Sequence, residues 1–594
     1  MYILGISCFY HDSAAALLDD GVLIAAAQEE RFSRKKNDQG FPSQAIQFCL
    51  NKAGIASADL DYVVFYEKPL VKFDRILRTA LGTFPRSWRT FSEAMIAWFD
   101  EKLWIKSLLM SELGVAADKI LFTDHHMAHA ASAFYSSPYD EAAIMTIDGV
   151  GEWATATMGL GKASWEDGNA NEIVLSHEQR FPHSLGLLYS AFTAFLGFRV
   201  NNGEYKVMGM APYGEPRFVD KIYDNILKAQ GDGSFWLNMD YFSYHYSPEK
   251  TFNQKFVNLF GQPRDPNSYF ITTQTDPDEA DPASPDVQAN QYYADVAASI
   301  QRVAEETILS MANALHKKTG LTRLCMAGGV ALNSVANGRI LRETPFKEIF
   351  IQPAAGDAGG ALGAALYVYH QVLHEPRRFV MEHAYWGEEY SNDEIETTLK
   401  QAGVRYEYVA DDNAFLDRIV DALIAGKVIG FYQGKFEWGP RALGNRSILS
   451  DPRRAEMKDV VNRKIKFREP YRPFAPVILE ESAADFFDGP TNFEDNHSAR
   501  YMLLVLPWKG DMGEKIPAVN HLGTGRLQTV RHEWNPRYYD VVKKFGDATG
   551  VPVLMNTSFN LRGEPIVTTP ANAWNTFSKS GMDILAIGQY WVEK

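Results

Sequence analysis

The first thirty residues alternate between apolar runs and short polar turns. "YILGISC" is followed by the turn "FYHDSA", which carries His11 and Asp12, and then by the runs "AALLDD" and "GVLIAAAQEE". Apolar runs of this length, bounded by turn residues, predict strand, turn, strand. The same pattern returns around Asp148 in "AAIMTIDGVGEWATATMGLG". Two such units in one chain predict an internal duplication.

Further along, the period changes. Residues from about 287 to 319 repeat their apolar positions at helical spacing and stop at Gly320, which predicts a long amphipathic helix. "LCMAGGVALNSVANGRI" and "EIFIQPAAGDAGGALGAALYVYHQVL" each read strand, glycine-containing loop, helix. Glycine in such a loop lets a ligand approach backbone N–H groups and the helix N-terminus. A single glycine there more often serves tight packing, but two successive loops favour a nucleotide site, with Gly328, Gly329 and Asn333 as candidate cofactor-binding positions. Duplicated strand–turn–strand units that grip phosphate between two turns are the plan of actin/hexokinase/Hsp70-type ATPases. The acidic, Pro-rich stretch 274–288 predicts an exposed loop or mobile insertion. A boundary falls at 373–390, so the expected division is 1–372, a linker, and 391–594, all of it α/β. No Walker-type phosphate loop occurs, since "ATMGLGKAS" has Ala156 where the first glycine should be.

Composition bounds the rest. At 594 residues the chain exceeds the ~250–300 residues of a single core. The start lacks a signal-peptide pattern, and no uninterrupted apolar run reaches the ~18 residues of a membrane span. Cys8, Cys49 and Cys325 are widely spaced, which excludes a disulfide framework and a cysteine-rich zinc module and fits a reducing cytoplasm. A net charge of −15 argues against nucleic acid as a partner of the whole surface. Locally the sign reverses: eleven Lys/Arg against five acids lie between Lys435 and Arg472. They interleave with "GPRALGNRS" and "YRPFAP", which are not solvated-helix sequences, so the cluster predicts a small anionic ligand such as a phosphate compound.

The segment "TDHHMAHAASAFYSS" crowds three histidines into five residues. With Asp124 as N-cap, His125 and His129 are one turn apart on one helical face. His126 and His129 could also pair, at i, i+3, and spacing does not choose between them. Asp148 and Asp357 each follow an apolar strand and sit beside glycine, a position that also suits a simple turn-former. Two His and two Asp form an N/O donor set for Fe(II), Mn(II) or Zn(II).

Long motifs carry a resemblance. "GISCFYHDSAAALL", "EERFSRKKND", "DHHMAHAASAF", "IDGVGEW", "NNGEYKVMGMAPYG", "AGGVALNS" and "GDAGGALGAA" resemble the N-terminal half of the NodU/CmcH family of O-carbamoyltransferases, which act on nodulation factors, cephamycins and aminoglycosides. "GPRALGNRSIL", "KIKFREPYRPFAP", "GTGRLQTV" and "MNTSFNLRGEPIV" resemble its C-terminal half, in family order from residue 5 to about 570. The resemblance implies an actin-like domain, akin to tRNA threonylcarbamoyl-transfer enzymes, followed by a YrdC-like domain. It implies carbamoyl adenylate made from carbamoyl phosphate and ATP, with Mg, in the C-terminal domain. The N-terminal domain would then pass the carbamoyl group to a hydroxyl of a small natural product or saccharide. It implies His125, His129, Asp148 and Asp357 as ligands of a metal usually taken to be iron, which selects His125 over His126. It matches His11 to the catalytic histidine, with Asp12 orienting it or binding the acceptor, and Arg441, Lys466, Arg472, Arg526 and Ser558 to the phosphate-binding positions. Histidine suits the base role, because an alcohol is a poor nucleophile near neutral pH.

Two other readings stand beside this one. A tRNA threonylcarbamoylating enzyme is opposed by the acidic surface and by His11. An actin/Hsp70-like ATP-driven binding protein explains the duplicated turns but not the basic C-terminal region. No membrane partner is expected, a homodimer is admitted, and the residues do not name the acceptor.

Overall fold

The computed structural model describes Met1–Lys594 except Glu101, Asp278 and Thr491. The chain divides into two compact units. The first comprises Met1–Ile24, Gln39–Pro42 and Cys49–Val380; the second comprises Ala25–Asp38, Ser43–Phe48 and Met381–Lys594.

In the first unit the early alternation becomes β1 (Tyr2–Ser7), β2 (Ala14–Asp19) and β3 (Val22–Gln28), whose second half is assigned to the other unit. With β4 (Tyr62–Phe65) and β5 (Ile120–Phe122) they form a sheet of order β3-β2-β1-β4-β5. β1 runs antiparallel to β2 and parallel to β4. The second copy of the pattern becomes β6 (Glu141–Ile147), β7 (Ala154–Lys162) and β8 (Glu172–Arg180). After a small hairpin, β9 (Leu227–Ala229) and β10 (Phe235–Leu237), come β11 (Arg323–Ala327) and β12 (Glu348–Phe350). This sheet has the order β12-β11-β6-β7-β8, with β6 antiparallel to β7 and parallel to β11. Each sheet thus has its first strand at the centre, an antiparallel neighbour on one side and two parallel strands on the other.

Helices His125–Phe134 and Asp357–Tyr367 pack against each other in this unit. The small residues of "AHAASAF" and "DAGGALGAA" explain how closely. A Cβ on Gly363 would lie 1.8 Å from the carbonyl oxygen of Ala128, so only glycine permits the approach. Close contact brings the N-terminal turns of both helices together, and those turns carry His125, His129 and Asp357.

The long helix spans Pro285–Thr319 and ends on Gly320, whose φ is 71°. It therefore takes in the end of the stretch expected as a loop: Pro285 to Gln288 form its first turn, and Val287 is buried. Proline at the first helical position costs no hydrogen bond, so a Pro-rich run can end inside a helix. Of that stretch, Asp278 lies outside the described residues. A helical insertion between β4 and β5 is absent from the sequence-based expectation. It comprises Pro69–Gly82, Trp88–Asp100 and Ile105–Leu113.

The second unit is built on a nine-stranded sheet. Its inner strands include Ile429–Tyr432, Arg446–Ser450, Val553–Ser558, Ala475–Leu479 and Thr524–Val530. Phe415, Ile419, Phe431, Tyr538, Val541, Phe545 and Trp591 form its core. The "EERFSRKK" segment belongs here: Arg31 donates to the carbonyl of Gly439 and Arg34 to those of Pro565 and Ile566. No described helix is long and apolar enough to cross a membrane.

Candidate active site

His125, His129, Asp148 and Asp357 converge in the first unit. All four are buried, and one ligand atom from each lies within 4.8 Å of the others. His125 Nε2 is 3.0 Å from His129 Nε2 and 3.2 Å from Asp148 Oδ2. Asp357 Oδ1 is 3.7 Å from the first histidine nitrogen and 3.6 Å from the second. Neighbouring donors around an ion with ~2.1 Å bonds are about 3.0–3.4 Å apart; the two shortest separations fall in that range, and those to Asp357 Oδ1 are a few tenths of an ångström wider.

The chemistry of the donors agrees. Neither carboxylate oxygen of Asp357 has a hydrogen-bond partner among the described residues. Buried polar atoms are otherwise satisfied almost without exception. The residues present therefore fit a divalent metal ion. Burial opposes ionisation of Asp148 and Asp357, yet His125 holds the first and His11 the second below the usual carboxylate range. Burial disfavours the charged imidazole of His125, but Asp357 and the bond to Asp148 outweigh it and push it up to about 9. His126 faces away: Nδ1 meets Thr146 Oγ1 at 2.6 Å and Nε2 meets the carbonyl of Ala154 at 3.0 Å. Burial, with its two histidine neighbours, holds it neutral, down to about 3.

Long-range partners orient the ligands. The Gly329 N–H donates to Asp148 Oδ1 at 2.9 Å. Glu67 Oε2 stands 3.8 Å from His125 Nδ1. Asp124 does occupy the N-cap position, but makes no capping bond; its carboxylate pairs with Lys68 Nζ at 2.8 Å. Glu152 takes over, accepting from the His125 N–H at 3.0 Å and the Lys68 N–H at 2.8 Å. Glu67 and Glu152 were not among the expected site residues. Glu67 lies two residues past β4 and Glu152 in the β6–β7 turn. Asn333 caps the helix Ser334–Glu343 through the Ala336 N–H and exchanges hydrogen bonds with Gln301.

His11 lies on the β1–β2 turn, where Phe9 and Asp12 adopt φ of 73° and 54°. The turn directs Nε2 to within 3.9 Å of Asp357 Oδ2, while Nδ1 meets Asp12 Oδ2 at 3.0 Å. Burial disfavours the imidazolium, but Asp357 and Asp12 push His11 up to about 10.

In the second unit the expected anion-binding positions form a cationic group. Lys466 is buried, and its ammonium donates to the carbonyl of Ser558 and to the carbonyl and Oδ1 of Asn560 at 2.9 and 2.8 Å. Burial, then Arg468 and Arg472, push its pKa far down. Arg526, on the strand Thr524–Val530, is depressed by burial and then by Arg441 and Arg472, and its Nε has no hydrogen-bond partner among the described residues. Of the acids, Glu469 stands 3.7 Å from Arg472 Nη1; guanidinium groups gathered this closely can offer bidentate contacts to dense negative charge. Other members of the basic run do different work. Arg446 is buried over the Tyr432 ring, 3.8 Å from its centroid, and Arg453 pairs with Asp451 at 2.7 Å.

Residues 2–366 match the carbamoyltransferase N-terminus family and residues 420–594 the carbamoyltransferase C-terminus family. An uncharacterized protein of Synechocystis is 48% identical, over 100% of this chain and 97% of its own length. The nodulation protein NolNO of Sinorhizobium fredii is 35% identical, over 99% of this chain and 79% of its own. The 3'-hydroxymethylcephem-O-carbamoyltransferase of Amycolatopsis lactamdurans is 32% identical over 46% of this chain and 49% of its own. Matched along both halves and along nearly its whole length, the chain belongs to the carbamoyltransferase family of enzymes.

Proposed function

We propose that the chain is an ATP-dependent O-carbamoyltransferase with two reaction sites, one in each unit. On this reading the first unit is a duplicated actin-like domain and the second a YrdC-like one. Support for the duplication comes from the two sheets of equal order in the first unit. Support for the chemistry comes above all from the 3.9 Å approach of His11 Nε2 to Asp357 within the buried His125, His129, Asp148 group.

In the second unit, carbamoyl phosphate, ATP and water give carbamoyl adenylate, phosphate and pyrophosphate. Arg441, Arg472 and Arg526 hold the phosphoryl oxygens, and planar guanidinium groups suit them bidentately. Lys466, tethered to Ser558 and Asn560, ties the basic segment to the strand that carries Ser558.

In the first unit, His11 takes the proton of the acceptor hydroxyl at Nε2. The acceptor oxygen attacks the carbamoyl carbon, and AMP leaves. Asp12 fixes the ring by its bond to Nδ1. Because Asp357 is what raises His11 most, neutralising that carboxylate brings the imidazole back toward the range where it accepts a proton near neutral pH. His125, His129, Asp148 and Asp357 would hold Fe(II), Mn(II) or Zn(II), which supplies Lewis acidity toward a phosphate or carbamoyl oxygen. The acceptor is a hydroxyl-bearing natural product or saccharide.

The test is pyrophosphate release from ATP, with and without carbamoyl phosphate. Release that depends on carbamoyl phosphate is expected. ATP turnover indifferent to it would favour an ATP-driven binding protein instead.

A further inference from the structure

The helix Pro69–Gly82 turns two cations inward while its middle apolar residues, such as Phe73 against Trp98, stay half-buried. Among its residues, Pro69, Lys72 and Arg75 are the buried ones, while Leu70 and Leu81 are 71% and 68% exposed. Core packing explains neither choice, since a cation turned inward costs desolvation and an apolar side chain turned outward forgoes burial. Something at the inner face requires positive charge.

Lys72 has an ordinary account. Its ammonium pairs with Glu67 at 2.6 Å and lies 5.0 Å from the centroid of the Tyr10 ring. Arg75, one turn on, has none. It is only 8% exposed. Nη1 is buried with no hydrogen-bond partner, and the guanidinium has no ion pair among the described residues. The nearby acids are engaged elsewhere: Glu67 by Lys72, Glu152 by the N–H groups of Lys68 and His125. What Arg75 does have is a platform, the ring of Phe181 with its centroid 5.2 Å from Cζ. Burial lowers its pKa, while Tyr10, Glu67 and Glu152 act to raise it. A stacked guanidinium carries its donors around its rim, and here that rim is unused on at least one side. The link to the transfer chemistry runs through Lys72, one turn before Arg75, which lies over the Tyr10 ring, itself 4.8 Å from the ring of His11.

We propose that Arg75, stacked on Phe181 and flanked by Lys72, is the receptor for an oxyanion bound next to His11. A carboxylate, phosphate or sulfate oxygen pair matches the fork of a guanidinium, and stacking holds the fork flat. A neutral polyol would supply acceptors to the fork but no matching charge. The oxyanion belongs either to the hydroxyl-bearing acceptor or to the phosphate of a nucleotide. Its assignment to one of these rests on the reading of His11 as the transfer base; anion binding at Arg75 does not.

The experiment uses the full chain carrying Lys466→Ala and Arg472→Ala, which weakens the cationic group of the second unit. Inorganic phosphate and AMP are titrated calorimetrically into this parent and into versions adding Arg75→Gln, Arg75→Lys or Arg78→Gln. Arg78 is the control, exposed and paired with Asp74 at 2.8 Å. Phosphate affinity should fall about tenfold or more with Arg75→Gln, less with Arg75→Lys, and not at all with Arg78→Gln. The thermal midpoint without anion should stay level or rise with Arg75→Gln, because a buried unpaired charge is removed. Unchanged phosphate affinity in Arg75→Gln, or a lower midpoint at unchanged affinity, would make Arg75 a structural residue and overturn the proposal. If AMP affinity falls in parallel, the oxyanion is the nucleotide's; if AMP binding is intact while phosphate binding is lost, it is the acceptor's.

Discussion

Gly329 donates its backbone N–H to Asp148 Oδ1 at 2.9 Å, and the other oxygen, Oδ2, is the one that faces His125 at 3.2 Å. One peptide group from the β11 loop thus decides which lone pairs of a β6-end carboxylate face the histidines. The preceding residue makes this possible. Gly328 has φ of 94°, and a Cβ there would lie 2.3 Å from the carbonyl oxygen of Ile147, the residue before Asp148. Gly328→Ala should therefore push the loop and Asp148 apart. Left-handed backbone costs a non-glycine residue about 1–2 kcal/mol before the clash is counted. The variant should fold with a lowered denaturant midpoint and retain less metal than the parent. Equal midpoints would show that the loop yields freely.

Metal content tests the four ligands directly. Protein purified without chelators should carry about one transition-metal ion per chain, and His125→Ala or His129→Ala should reduce it. The two histidines are not redundant, because their Nε2 atoms stand 3.0 Å apart and each supplies a separate donor. Elemental analysis reads the outcome. Full metal content in the double variant would remove the assignment.

Much of this site is written in short segments. The crowded histidines, the strand-end Asp148 and the glycine-flanked Asp357 are visible within a few residues, because helix period and strand-end turns are local rules, but spacing leaves His125 and His126 open and only the family resemblance selects His125. Their supports are not local. Glu152 caps the His125 helix from 27 residues away and Glu67 approaches His125 from another strand, so Asp124 looks like the cap until Lys68 claims it. Arg446 reads as one more cation in a basic run, yet it is interior and stacked on Tyr432. Charge counting registers sign and misses direction. The helix Pro69–Gly82 is hardest of all, since its apolar positions give no hint that Lys72 and Arg75 are among its buried residues.

A pH effect follows from His370. It is buried, its ring is 4.5 Å from that of Tyr135, and Nδ1 meets the carbonyl of Glu375 at 3.0 Å. Burial, with Arg377 adding to it, lowers its pKa from 6.5 to about 4. Below about pH 6.5 the unfolded chain takes up a proton that the folded one refuses, so stability should fall as pH drops from there toward 4 and be unaffected by this group above. The full difference is about 3 kcal/mol at one pKa unit per 1.36 kcal/mol. His370→Gln has no titrating group there. Denaturant midpoints at pH 7.5 and 5 should converge in the variant relative to the parent. Parallel pH losses in both proteins would show that His370 does not contribute.

The anion-binding group predicts a separable defect. Replacing Arg472 by alanine should weaken carbamoyl phosphate binding by about 1.5–3 kcal/mol, the scale of a lost charge-assisted hydrogen bond, and replacing Lys466 should weaken it less, because its donors are already engaged. Lys466→Ala carries a second consequence, because its three donors tie Ser558 and Asn560 to the helix end. Its thermal midpoint should drop, whereas that of Arg472→Ala should change little. Calorimetry on the full chain reads the affinity. Unchanged affinity in both variants would put the phosphate site elsewhere.

The two sites should then fail independently. Arg441→Ala or Lys466→Ala should stop adenylate formation, yet the protein should still transfer carbamoyl when chemically made carbamoyl adenylate is supplied. His11→Ala should release pyrophosphate at the parental rate and lose transfer to the acceptor. Removing a general base slows a reaction about 10²–10⁴-fold, so residual transfer is expected. Asp12→Asn provides the graded case: the bond to His11 Nδ1 at 3.0 Å persists in weaker form, so transfer should slow less than in His11→Ala. The acceptor is found by mass spectrometry, as one added carbamoyl group among hydroxyl-bearing candidates incubated with carbamoyl phosphate and ATP. Pyrophosphate release and carbamoylated product are then compared in each variant. The alanine variants of residues 11 and 441 decide the matter. If both lost release and transfer to the same degree while remaining folded, one shared site would replace two.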